Sequence, residues 1–122
     1  MFKLLVLFTL MVAYPLNGFT KYPSQWVEPE ILYYPLHWAA FRGLSHVLSS
    51  ILGTYPINTP DQFGRTPLHC AAAQGKTKTV EQLLALGAIA NLRDINNMLP
   101  EELARMNGHQ NLSYLLRAYR HL

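Results

Sequence analysis

Cysteine is almost absent. The one thiol in 122 residues, Cys70, excludes an intramolecular disulfide. Secreted domains of this size usually carry disulfides, so the shortage favours an intracellular setting. Charge is scarce too: Asp, Glu, Lys and Arg make up 14% of the chain, the net charge is +3, and no run of basic residues is longer than two. With a pI near 9.2 the chain is basic, but nothing is concentrated enough to mark a nucleic-acid stripe. No glycine-rich phosphate loop and no metal-spaced group of His, Cys, Asp or Glu is present. No apolar run is long enough to span a bilayer comfortably. Leu4 to Ala13 is the strongest, and Pro15 soon interrupts it.

What the chain does have is repetition. Pro35-Leu36-His37-Trp38-Ala39-Ala40 precedes Pro67-Leu68-His69-Cys70-Ala71-Ala72 by 32 residues. Gly43, Val47, Ile51-Leu52 and Asn58 correspond to Gly75, Thr79, Leu83-Leu84 and Asn91. A weaker third copy starts 33 residues after Pro67, with Pro100-Glu101-Glu102-Leu103-Ala104, Gly108-His109, Leu112 and Leu115-Leu116. There Glu101 and Glu102 stand where the other copies have Leu and His.

The middle copy makes local physical sense. Thr66 before Pro67 reads as an N-cap followed by proline at N1, where a missing N–H costs nothing. Leu68, Ala71 and Ala72 share one helical face, and the alanines let neighbouring helices approach closely. Gly75 ends that helix. A second, amphipathic helix follows with Val80, Leu83 and Leu84 inward, and Gly87 stops it. The segments 61–64 and 94–97 read as turns, with Gly64 and Asn97 at one shared position that tolerates positive φ. The spacing predicts helices over Pro35–Phe41, Ser45–Leu52, Pro67–Ala73, Thr77–Leu86, Pro100–Met106 and Asn111–Tyr119, an all-α fold.

Thr66-Pro67-Leu68-His69, with Asp61 and Gly64 before it and Gly75, Gly87-Ala88 and Asn91 after it, resembles a complete unit of the ankyrin-repeat family. The resemblance extends over residues 32–122. It implies an ankyrin-repeat solenoid of about three stacked helix-turn-helix units, which is also the minimum for a stable stack. So small a domain should bury only a modest core. The polar third copy would serve as an end-cap whose outer face meets water.

The resemblance also implies a function: a binding surface for another protein, with no catalytic cleft, no cofactor and no nucleic-acid partner. Family members bind through the turn tips and the exposed positions of each first helix. Those helix positions here are Trp38, Phe41 and Arg42, then Cys70, Ala73 and Gln74, then Leu103, Met106 and Asn107. The tips are residues 60–63 and 93–96. The candidate partner-binding set is Trp38, Phe41, Arg42, Phe63, Gln74 and Arg93. Trp and Arg are among the side chains enriched at binding hot spots. The first unit's aromatics could instead pack against the segment that precedes them.

The catalytic alternatives are weak. His37 and His69 hold equivalent places about 10 Å apart, too far to share a metal. In ankyrin units this histidine bonds locally and braces the turn against the Thr-Pro start; Tyr34 replaces the threonine in the first unit and weakens that brace. Cys70 beside His69 is no nucleophile–base pair, because adjacent helical residues point about 100° apart. Glu101-Glu102 suits the start of a helix better than acid–base chemistry. Lys76/Lys78 and Arg117/Arg120 read as ordinary solvated helix positions.

The amino terminus admits two readings. Lys3 followed by an apolar run has the form of a signal peptide or anchor, though no small-x-small cleavage site follows it. Alternatively, residues 6–17 align without a gap to residues 47–58 and share their Tyr-Pro-x-Asn ending, as a degenerate half-repeat would. On either reading, residues 1–20 form a hydrophobic segment, 21–31 an insertion or linker, and 32–122 the repeats. A half-repeat goes with a cytoplasmic protein. A signal or anchor goes with a secreted or membrane-tethered one, and only then would a membrane be a partner.

Overall fold

The computed structural model describes residues 34–121. The hydrophobic segment 1–20, the linker 21–31 and the choice between half-repeat and signal all lie outside the described residues. Within them there are six helices and no strand: α1 Pro35–Arg42, α2 Ser45–Ile51, α3 Pro67–Ala73, α4 Thr77–Ala85, α5 Pro100–Met106 and α6 Gln110–Arg120. α3 and α5 have the bounds expected from the sequence, and the other ends move by one residue. The inner helices stack in the order α1, α3, α5, and each packs against its own outer helix, α2, α4 or α6.

α3 starts where the sequence says it should. The Thr66 hydroxyl accepts from the His69 N–H, and the Thr66 N–H donates back to Nδ1 of the His69 ring at 3.1 Å. One side chain at each end of the first turn thus satisfies two otherwise orphaned donors. α1 lacks this arrangement: Tyr34 makes no capping bond and instead lies edge-on to His37 at 5.3 Å. In α5 a carboxylate replaces the imidazole, and Glu102 Oε2 accepts the Leu99 N–H at 2.8 Å.

The core runs along the inner stack. Ala39, Ala40, Leu68, Ala71, Ala72 and Ala104 are completely buried, as are Leu48, Val80 and Leu83 from the outer layer. Small residues at the helix–helix contact let the backbones close up, and each buried leucine contributes about 2–3 kcal/mol of burial. The turns repeat as well. Asp61 Oδ1 accepts the N–H groups of Phe63 and Arg65, and Asp94 Oδ1 those of Asn96 and Met98. Gly64 and Asn97 both take positive φ, at 71° and 64°. Adjacent turns are joined by the Ile95 N–H donating to the Phe63 carbonyl at 2.9 Å.

One acid of the last repeat lies inside rather than at its surface. Glu101 is buried, at 3% exposure, in the register that Leu36 and Leu68 occupy earlier. Arg117 Nε donates to its Oε1 at 2.8 Å, and Arg120 Nη2 stands 3.3 Å from its Oε2 as an ion pair without hydrogen-bond alignment. Arg117 and Arg120 are therefore not simply solvated cations.

Candidate functional site

The inner helices can present a face only if successive repeats hold a fixed register, and the histidines supply it. His69 Nδ1 accepts from the Thr66 N–H, so its Nε2 carries the hydrogen and donates 3.0 Å to the Met98 carbonyl of the next repeat. His37 Nε2 donates in the same way to the Arg65 carbonyl at 2.6 Å. Each imidazole thus ties one inner helix to the following turn, across 28 and 29 residues. Burial pushes both rings below the usual histidine pKa, more than the carbonyl partners raise them. The neutral tautomer that the geometry requires is also the form that burial favours.

Other ties fasten the outer side of the stack. Asn58 reads the backbone of the next repeat with both ends of its amide. Its Nδ2 donates to the Gly87 carbonyl at 3.4 Å and its Oδ1 accepts the Ile89 N–H at 2.9 Å. Gln82 Nε2 donates to the Ser49 hydroxyl at 2.7 Å, and the hydroxyls of Ser45 and Thr79 meet at 3.2 Å.

On this frame the sequence-derived candidates separate. Trp38 and Arg42 are half-buried on α1, four residues apart, where one partner can reach both. Gln74 is half-buried in the same register at the end of α3, and Asn107 is exposed at the end of α5. Phe63 is half-buried at its turn, with the Arg65 guanidinium 4.6 Å above its ring. Arg93 is exposed at the next turn and donates to the Asn97 carbonyl at 2.9 Å. Phe41 is not on an open surface. It is buried at 9% exposure, and Cys70, expected outward in the same way, is at 1%. Trp38, Cys70 and Leu103 share one register, and only the middle one has a repeat on both sides among the described residues. Position in the stack therefore closes Cys70.

Seven large apolar side chains are exposed among the described residues, Tyr55, Leu86, Ile89, Tyr114 and Tyr119 outside the inner helices and turn tips, and two others within them. Met106, at 70% exposure, ends α5, and Ile95, at 69%, sits at the tip of the second turn. Ile95 falls within the turn tip 93–96 named from the sequence but was not singled out, although an isoleucine between Asp94 and Asn96 in a turn is itself a signal, since turns otherwise favour small polar residues. A shallow depression of about 240 Å³ lies elsewhere, lined by Leu84, Ile89, Asn91, Tyr119 and Arg120 among others. None of the candidate residues borders it.

A family model for ankyrin repeats, in three copies, matches residues 36–121, and the chain belongs to the ankyrin-repeat family. Among curated relatives it is 33% identical over 95 residues to the human transient receptor potential cation channel subfamily A member 1, covering 75% of this chain and 8% of the channel. It is 33% identical over 86 residues to human ankyrin repeat domain-containing protein 13C, covering 70% and 16%. The ARF GTPase-activating protein Git of Drosophila melanogaster is 48% identical over 48 residues, covering 39% and 7%. The chain spans less than a fifth of the length of each. Ankyrin repeats are generally protein-interaction modules. No helix among the described residues is long and apolar enough to cross a membrane.

Proposed function

We propose that this chain is a non-enzymatic protein-binding module, and that its partner lies across the inner helices and turn tips, against Trp38, Arg42, Phe63, Gln74 and Arg93. The reading is supported above all by Trp38 and Arg42, half-buried four residues apart on α1 and of the types enriched at binding hot spots, with Met106 exposed at the end of α5 and Ile95 at a turn tip. Phe41 supports the face from beneath rather than touching the partner. The scarcity of cysteine, one buried residue in 122, fits a cytoplasmic setting. A folded Trp38→Ala variant should bind its partner about 2 kcal/mol more weakly, as for a central aromatic anchor, while Thr54→Ala, away from the face, should leave binding unchanged. Parental affinity in Trp38→Ala would remove this face from the account.

The apolar run after Lys3 favours a second reading, in which residues 1–20 direct secretion or tether the repeats to a membrane. Amino-terminal mass spectrometry of the mature protein tests it: a start within residues 19–22 supports export, and an intact start opposes it.

A further inference from the structure

Among the described residues the acids, Glu81 apart, gather at one end of the helices, where Arg65, Arg93, Arg117 and Arg120 stand against them. The acids Asp61, Asp94, Glu101 and Glu102 all lie in the turns that open each inner helix or in the first turn of α5. Each is committed to an internal donor, whether a backbone N–H, Arg65, Arg117 or Arg120. The opposite edge is built from the short connections between inner and outer helices. It carries the exposed cations Lys76, Lys78 and Arg105, with His46 and His109 beside them. None of those three cations has an ion pair among the described residues. Glu81, the one acid on α4, stands three residues after Lys78 but forms no ion pair with either lysine.

This edge is continuous. The stem of Lys76 lies across Gly43 of the preceding connection, and the ring of His109 lies across Gly75. Each connection therefore rests on the one before it, and the cations fall in a row along the stack. Arg105 at the end of α5 complements its helix dipole, but Lys76 and Lys78 stand at the start of α4, where a positive charge opposes it. The Lys76 stem packs on Gly43, but its ammonium and that of Lys78 oppose their own helix dipole and meet no acid among the described residues, which leaves both charges open to an external anion.

We propose that the edge formed by the helix-to-helix connections docks an acidic peptide segment of the protein partner. The proposal rests on the protein-binding reading above but concerns a different surface from the inner face. A nucleic acid fits less well, since among the described residues no exposed aromatic side chain interleaves these cations to stack on bases. An anionic bilayer fits less well too, because adhesion of that kind takes a cluster of about four to eight Lys or Arg.

The full chain is titrated with a fluorescent twelve-residue Glu/Asp peptide, with phosphatidylserine-containing vesicles and with a twelve-nucleotide RNA. Lys76→Glu/Lys78→Glu/Arg105→Glu is compared with the parent and with Ser50→Glu/Thr54→Glu/Asn91→Glu, which adds negative charge elsewhere. The peptide should bind the parent, weaken by about fivefold or more as salt rises from low to physiological strength, and be lost only in the edge variant. Trp38→Ala should still bind the peptide, so failure of the inner face and failure of the edge read out separately. Equal peptide affinity in the parent and the edge variant overturns the proposal, as does no peptide binding at low salt. So does edge-dependent binding of RNA or vesicles that exceeds that of the peptide.

Discussion

Glu101 and Arg117 hold each other at 2.8 Å in the register where the preceding repeat has Leu68 and Leu84. Two core positions have changed together from an apolar pair to an ion pair, and Arg120 adds a second cation to the same carboxylate. Arg117 is half in water, at 45% side-chain exposure, whereas Glu101 is at 5%. The two partners therefore differ in what they lose when separated.

Arg117→Leu should destabilise the domain by about 2 kcal/mol, because it leaves a buried carboxylate with one poorly aligned partner. Glu101→Leu should cost less, since both arginines can then turn to solvent. The double variant Glu101→Leu/Arg117→Leu should return to within about 1 kcal/mol of the parent, because it restores the pair found one repeat earlier. Urea denaturation of the four proteins checks this. Additive losses in the double variant would show that the two positions are not coupled.

Stability should fall in mild acid. His37 and His69 have folded-state pKa values below the ordinary 6.5. The unfolded chain therefore takes up protons first as pH drops, and stability is full above about pH 6.5 and declines below it until the folded rings protonate too. Histidine NMR titration should give midpoints below 6.5 for both rings, and thermal midpoints should be lower at pH 5 than at pH 7.5. A midpoint above 6.5 for either ring would contradict the neutral, carbonyl-donating tautomer.

The glycines should separate by cause. At Gly75, φ is +69° and an added Cβ would stand 2.5 Å from the His109 ring, so Gly75→Ala combines backbone strain with a steric clash and should cost about 2 kcal/mol or more. At Gly108, φ is +84° but the space is open, and alanine should cost about 1 kcal/mol. Gly53→Ala meets neither obstacle and should fall within about 0.5 kcal/mol of the parent. Equal losses at Gly75 and Gly108 would show that the His109 contact is not felt.

Much of the frame was legible because it is local. Thr66 and Pro67 start α3, Gly75 ends it, and Val80, Leu83 and Leu84 turn inward, all through relations within a few residues. The bond from His69 to the Met98 carbonyl was not legible, because 29 residues separate them and only the stack brings them together. Burial of Cys70 depends on having a neighbouring repeat on each side, which a repeat read by itself does not show. Glu101 looked like a surface acid because the first turn of a helix favours one. Its burial follows from Arg117 and Arg120, a helix later, reaching back to it. The candidate face was legible as a register of positions, but not in which members stay open: Phe41 closes and Met106 remains in water.

The proposed function places a protein partner against the inner helices. It is tested most directly by site-specific photo-crosslinking in cells, with a photoreactive amino acid placed in turn at Gln74, Met106 and, on the outer helix α6, Tyr114. The account predicts a discrete protein adduct from Gln74 and Met106, little from Tyr114, and loss of the adduct when a folded Trp38→Ala change is added. Adducts from Tyr114 but not from Gln74 or Met106, or adducts at the inner face made only with nucleic acid or lipid, would contradict it.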